Sequence, residues 1–93
     1  MKVIFNNNIE FEVLSADNNA NFNGEEIVAM RLTFTLAEVN KTVEELANLK
    51  LTGDRIVLVD DNSTEVVFEG YKLDSIRKSY GTSRLTIELT KKW

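Results

Sequence analysis

The side chains that could do chemistry in this sequence are carboxylates, hydroxyls and amines, because the chain contains no cysteine and no histidine. This composition excludes disulfides, thiol nucleophiles, imidazole bases and the ligand sets of zinc fingers and haem sites. The closest approach to a catalytic pair is Glu10 and Glu12, whose Cα atoms would lie about 7 Å apart on one strand face. A glycosidase pair also needs a deep cleft and a carboxyl with a raised pKa. Alternation with apolar neighbours predicts instead that both glutamates face solvent.

A second candidate is a calcium loop at residues 60–64, which have the Asp-x-Asn-x-Thr spacing of alternate oxygen ligands. The pattern fails beyond that point. Glu65 stands where the loop needs glycine, and Tyr71 stands where a glutamate should complete the ligands. The segment therefore predicts a hydrogen-bonded hairpin turn.

Nucleophile and phosphate-loop motifs are also incomplete. Ser75 and Lys78 have the Ser-x-x-Lys offset, but Lys78 follows Arg77 and nothing predicts the dry pocket that would lower its pKa. The four glycines are isolated from one another, so there is no glycine-rich phosphate loop. We therefore predict that the protein is not an enzyme and that it uses no metal, cofactor or small-molecule substrate.

The elements that would position these residues follow from length and periodicity. The 93 residues, of which 43% are hydrophobic and 28% charged, predict a single domain over residues 1–93. Alternation predicts six strands and is strongest at residues 27–36, while a capping box that begins at Thr42 predicts a helix over residues 42–50. The predicted order is β-β-β-α-β-β-β, an α+β domain whose mainly antiparallel strands form a sheet, a small sandwich or a barrel, with one packed helix.

Three connecting features are predicted from turn chemistry. Asn6, Asn7 and Asn8 predict a hairpin turn, and Gly70 predicts a bulge or bend. Residues 17–24 hold four asparagines and predict a mobile surface loop. Phe22, the only large apolar residue there, either pins this loop to the core or stands out as a partner-binding aromatic.

The charges divide unevenly along the chain. Residues 1–71 hold 5 basic and 13 acidic side chains, net -8, whereas residues 72–93 hold 6 and 2, net +4. Basic residues near aromatic rings suit nucleic acid, but the net charge of -4 repels phosphate, so we predict a solvated basic face and no nucleic-acid partner. Opposite faces of opposite charge also suit head-to-tail self-assembly. The basic residues are Lys72, Arg77, Lys78, Arg84, Lys91 and Lys92.

An ordered pattern of strand and helix segments runs through residues 1–7, 31–36, 42–46, 55–58 and 68–71, with Ile76. Together these segments resemble small phage and prophage proteins of Gram-positive bacteria that are encoded near tail or baseplate genes. The resemblance covers most of the chain, contains no catalytic motif, and implies a non-enzymatic part in virion assembly or attachment. No functional residue of the family can be carried over.

The leading hypothesis is therefore a phage-type structural or protein-interaction module. The predicted partner-binding residues are Phe22, Tyr80, Trp93, Arg77, Lys78 and Arg84. The alternative is a small acidic inhibitor of phage origin that imitates nucleic acid and blocks a host or defence enzyme. A carbohydrate-binding module is a minor third possibility. Because no signal peptide or membrane-spanning run is predicted, we expect synthesis in the bacterial cytoplasm, no membrane partner, and a place in the virion if the resemblance holds.

Overall fold

A computed structural model describes residues 1–37, 42–78 and 84–92. Within these residues, six antiparallel strands pair in a closed barrel in the order β1-β2-β3-β6-β5-β4. The elements are β1 (Lys2–Phe5), β2 (Ile9–Asn23), β3 (Glu26–Leu36), α1 (Val43–Asn48), β4 (Gly53–Val59), β5 (Glu65–Lys78) and β6 (Leu85–Lys92).

The predicted α+β class is wrong, because the described residues are nearly all antiparallel β-strand. Of the sheet, sandwich and barrel that the sequence left open, the structure has the barrel. The helix α1 has only six residues, although its start is capped as predicted: the Glu45 N–H donates to Thr42 Oγ1 at 3.1 Å. Glu44, Glu45 and Ala47 are all exposed, and α1 contacts the barrel at β5. Barrel closure buries the inner strand faces without a helical layer. No helix of the described residues is long and apolar enough to cross a membrane.

The strand pairing has a two-fold pattern. β1 pairs with β4 and β3 pairs with β6, while the two longest strands, β2 and β5, each join both halves of the barrel. β2 pairs with β1 along residues 9–12 and with β3 along residues 13–23. β5 pairs with β4 along residues 65–71 and with β6 along residues 72–78. The order β1-β2-β3 is thus repeated by β4-β5-β6.

Each long strand changes course where it passes from one neighbour to the other. In β2 the register shifts between Val13 and Ser15, and in β5 it shifts between Leu73 and Ser75. Gly70, just before the shift in β5, has a φ of 77°, which glycine adopts without steric cost and which fits the predicted bend. Bulges of this kind bend a strand and increase its twist, and so help a sheet to close.

The predicted turn at residues 6–8 also anchors the segment that follows α1. Asn6 and Asn7 have φ values of 54° and 66°, which asparagine tolerates better than most residues. The Asn6 amide donates to the Lys50 carbonyl at 3.1 Å, and its Oδ1 accepts from the Thr52 hydroxyl at 2.8 Å. The turn therefore holds the entry to β4 beside the end of β1.

The barrel core is built on a chain of aromatic rings in edge-to-face contact. Phe5 meets Phe11 and Phe34, and Phe34 meets Phe68, with ring centroids 6.1–6.5 Å apart. Phe68 then meets Tyr71 at 6.0 Å. Because Phe5 and Phe34 are fully buried and come from β1 and β3, this chain of rings ties together strands that do not pair with each other.

Truncation of this aromatic chain should be far more costly than truncation of an exposed ring. We expect Phe34→Ala to lower the free energy of unfolding by about 3–5 kcal/mol, because it removes a buried ring and leaves a cavity. The exposed Phe22→Ala, a matched change, should alter it by less than about 0.5 kcal/mol. Urea denaturation measures both. Equal stability of the two variants would contradict this description of the core.

Candidate interaction surface

The hairpin formed by β2 and β3 extends past the strands on either side of it. β1 reaches only residues 9–12 of β2, and β6 reaches only residues 29–36 of β3. Among the described residues, the side of β2 that faces away from β3 has no strand partner along residues 15–23. We call residues 18–28 the arm, and the unpaired side of residues 15–23 the β2 edge.

Residues 17–24, predicted to be a mobile loop, are instead almost entirely part of a paired strand. These residues continue β2 as far as Asn23 and pair with β3, and only Gly24, with a φ of 66°, lies in the turn. Asparagine has low intrinsic strand propensity, but that preference is weaker than the pairing and packing supplied by a neighbouring strand. The eleven-residue β3 provides that neighbour over its whole length.

Three large apolar side chains are exposed on the arm. Phe22 is 62% exposed, and its cross-strand partner Ile27 is 41% exposed. Val28, beside the register shift, is 40% exposed. Of the two roles predicted for Phe22, its exposure fits the outward-facing one and not a ring pinned to the core. Ile27 and Val28 were not predicted to be surface residues, because the alternation over residues 27–36 indicated a core strand.

The base of the arm is fastened to the barrel through Tyr71 of β5. The Asn18 side chain donates a hydrogen bond to the Tyr71 hydroxyl, and Lys91 Nζ lies 5.9 Å from the centre of the ring. Burial raises the pKa of Tyr71, and the hydrogen bond from Asn18 opposes that effect in part. Since Asn18 belongs to β2 and Tyr71 to β5, the contact joins the two long strands.

The predicted basic binding residues lie away from the arm. Arg77 and Lys78 end β5, Arg84 immediately precedes β6, and the Cα partner of Lys78 is Leu85 at the start of β6. The arm lies beyond the opposite end of β6, where Lys92 pairs with Ala29. Tyr80 and Trp93, the other two predicted anchors, lie outside the described residues.

The basic C-terminal segment does not form one cationic surface. Arg77 makes an ion pair with Glu88 near one end of β5. Near the middle of β5, Lys72 and Lys92 border an open groove of about 330 Å³ that also contains Asp74, whose carboxylate accepts a hydrogen bond from Thr90. An acidic group therefore lies within each group of cations.

The acidic residues singled out in the sequence have local structural partners. Asp60 Oδ1 accepts hydrogen bonds from the N–H groups of Asn62 and Thr64, both at 2.9 Å, which is the predicted hairpin turn. Asp61 accepts a hydrogen bond from the N-terminal ammonium at 2.8 Å, which lowers the pKa of Asp61 and raises that of the ammonium. Glu10 and Glu12 are exposed, and Glu10 lies 3.8 Å from the Lys2 ammonium.

The buried phenol at the base of the arm predicts a loss of stability in alkali. Because the folded-state pKa of Tyr71 is raised above the usual tyrosine value of 10.0, the unfolded chain releases this proton first as the pH rises. The contribution of Tyr71 is constant below about pH 10, and above it the free energy of unfolding falls by up to about 1.4 kcal/mol per pH unit. Denaturation at a series of pH values should show a shallower loss in Tyr71→Phe.

The control for that experiment is Tyr80→Phe, which changes the other tyrosine of the chain. Both variants keep every lysine and arginine. These groups therefore ionise in the wild-type protein and in both variants, and they do not account for a difference in stability between them. If Tyr71→Phe and wild-type protein lose stability equally above pH 10, the assignment of Tyr71 as a buried anchor is wrong.

Comparison with protein-family models, with curated proteins and with solved structures gives no match for this chain. The resemblance to phage proteins therefore stays a prediction from the sequence pattern. The arm, with its exposed aromatic ring and the unpaired β2 edge, is the surface on which a functional proposal can be based.

Proposed function

We propose that the protein is a non-enzymatic protein-interaction module of phage-type structural assemblies, and that the arm is its binding surface. The observation that carries the proposal is the exposure of Phe22, Ile27 and Val28 together on one hairpin. The phage context comes from the sequence resemblance alone. It makes a neighbouring tail or baseplate protein the expected partner.

The arm has two features that contribute to binding affinity in protein interfaces: an exposed aromatic ring and an unpaired strand edge. Large aromatic side chains dominate binding energies when a partner buries them, and Phe22 is mostly exposed. The unpaired β2 edge offers backbone donors and acceptors to an added strand. Exposed edges are usually guarded by lysine, proline or several charges, but residues 15–23 contain no lysine or proline and one charge, Asp17.

The barrel supplies the rigidity that such an arm needs. The base of the arm is held by the Tyr71–Asn18 hydrogen bond and by β3, whose Leu32 and Phe34 are buried in the core. A surface held on a rigid scaffold loses less conformational entropy when it binds. The arm is therefore suited to recognising a partner with little rearrangement.

The inhibitor alternative is less well supported by the charges of the outer barrel face. Glu10 and Glu12 lie on β2, and Glu65 and Glu69 lie on β5. Between these strands lie β1 and β4, which carry Lys2 and Arg55. Lys2 lies beside Glu10, and Arg55 is the cross-strand partner of Glu69. A nucleic-acid mimic would be expected to present acidic groups without such cations among them.

The test measures the affinity of this chain for each of the proteins encoded beside its gene, with every protein purified separately. We expect one of them to bind, and Phe22→Ala to weaken the complex by about tenfold or more, because an aromatic anchor of an interface is typically worth at least 2 kcal/mol. Val66→Ala is the matched control, since Val66 is 48% exposed but lies on β5. Titration calorimetry measures the three affinities.

Two results would contradict this proposal. One is that none of these neighbouring proteins binds, and the other is that Phe22→Ala and Val66→Ala bind as tightly as the wild-type chain. Binding to a nucleic-acid enzyme that weakens steeply with added salt would support the inhibitor instead.

A further inference from the structure

We propose that the β2 edge pairs with the β2 edge of a second copy of this chain, in antiparallel orientation about Asn19. This inference deepens the proposed interaction role, on which it rests, by naming a partner for one side of the arm. It is carried by the position of the edge in the barrel and by the self-complementary order of its residues.

The two-fold pattern of the barrel makes the exposure of this edge unusual. The equivalent side of β5, along residues 72–78, lies beside the segment that follows α1. A groove of about 310 Å³ there is lined by Ala47 from α1, by Leu51 from that segment, and by Leu73, Ser75 and Ile76 from β5. Within the described residues, no segment flanks the corresponding side of β2 in this way. One of two equivalent edges is therefore flanked by the chain itself, and the other is left unflanked by the residues that the structure describes.

The residue order of the β2 edge suits pairing with itself. Antiparallel pairing about Asn19 places Asp17 of each copy opposite Asn21 of the other, so the single charge of residues 15–23 meets a neutral amide. In-register parallel pairing would place Asp17 against its own copy, which is unfavourable. Two edges of nine residues would exchange roughly eight to ten backbone hydrogen bonds.

Side-chain sizes on the inner face of β2 are complementary in the same arrangement. Ala16, Ala20 and Phe22 share this face, because their positions alternate with those of residues 17, 19 and 21. Pairing about Asn19 sets Phe22 of one copy opposite Ala16 of the other, twice in the dimer. A large ring thus lies beside a small side chain at each end of the shared edge.

A dimer of this kind closes, whereas a heterologous contact between different surfaces would continue into a filament. The strands β5, β6, β3 and β2 of each copy would become one continuous eight-stranded sheet across the two-fold axis. Ile27 and Val28 belong to β3, which lies on the far side of β2 from the shared edge. These two residues stay available to a different protein.

The experiment varies charge opposite Asp17 and measures dimerisation by sedimentation equilibrium, from micromolar to submillimolar protein. We expect the wild-type chain to dimerise, and Asn21→Asp to weaken the dimer by about tenfold, because it adds two like-charge pairs. Asn21→Lys should strengthen dimerisation, since it adds two opposite-charge pairs. Asn62→Asp, the same charge change in the exposed β4–β5 turn, should leave it unchanged.

Circular dichroism and urea denaturation of each variant verify that the barrel is folded. A wild-type chain that stays monomeric throughout would overturn the inference, and so would a dimer that Asn21→Asp and Asn21→Lys affect alike. If the chain is monomeric but still binds a neighbouring gene product through Phe22, this inference fails and the proposed function stands. If it dimerises as described but binds no other protein, the inference stands and the wider function fails.

Discussion

Closure of this barrel depends on two strands that each belong to both of its halves. β2 and β5 exchange one pairing partner for another along their length, at the register shift after Val13 and near Gly70. Gly53 allows the close approach that this requires, because a Cβ there would lie 2.4 Å from the Tyr71 carbonyl oxygen. Tyr71 follows Gly70 directly and reaches Asn18 on the other long strand. The bends, the hydrogen bond between Asn18 and Tyr71 and the aromatic core are therefore parts of one arrangement.

The same arrangement produces the arm. β1 has four residues, so it can accompany only the start of the fifteen-residue β2. β3 accompanies the rest of β2, which leaves one edge of that strand unpaired among the described residues. Because β2 and β3 are longer than β1 and β6, the end of the β2–β3 hairpin extends beyond the barrel and forms a separate surface. Backbone pairing between β2 and β3 determines the shape of this surface, and the exposed ring of Phe22 makes it apolar.

Local parts of this fold could be predicted from the sequence, and its closure could not. The alternation at Leu85, Ile87 and Leu89 marks buried positions of a strand, because one-sided burial requires that period. The pairing of β1 with β4 joins distant segments and leaves no local signal. The asparagines of β2 indicated a loop because their intrinsic preference is visible in sequence and the supporting partner strand is not. In the candidate site, Phe22 was identified by its isolation, whereas Val28 was hidden by alternation that continues beyond the end of β6.

We propose above all that the β2 edge is unpaired within one molecule and pairs with the β2 edge of a second copy. Amide hydrogen exchange along residues 15–23, read residue by residue at low and high protein concentration, tests it most directly. In dilute protein, every second amide should be protected by β3 and the intervening amides should exchange quickly. At high concentration the intervening amides should also become protected. Protection of all these amides in dilute protein, or a pattern that does not change with concentration, would contradict the claim.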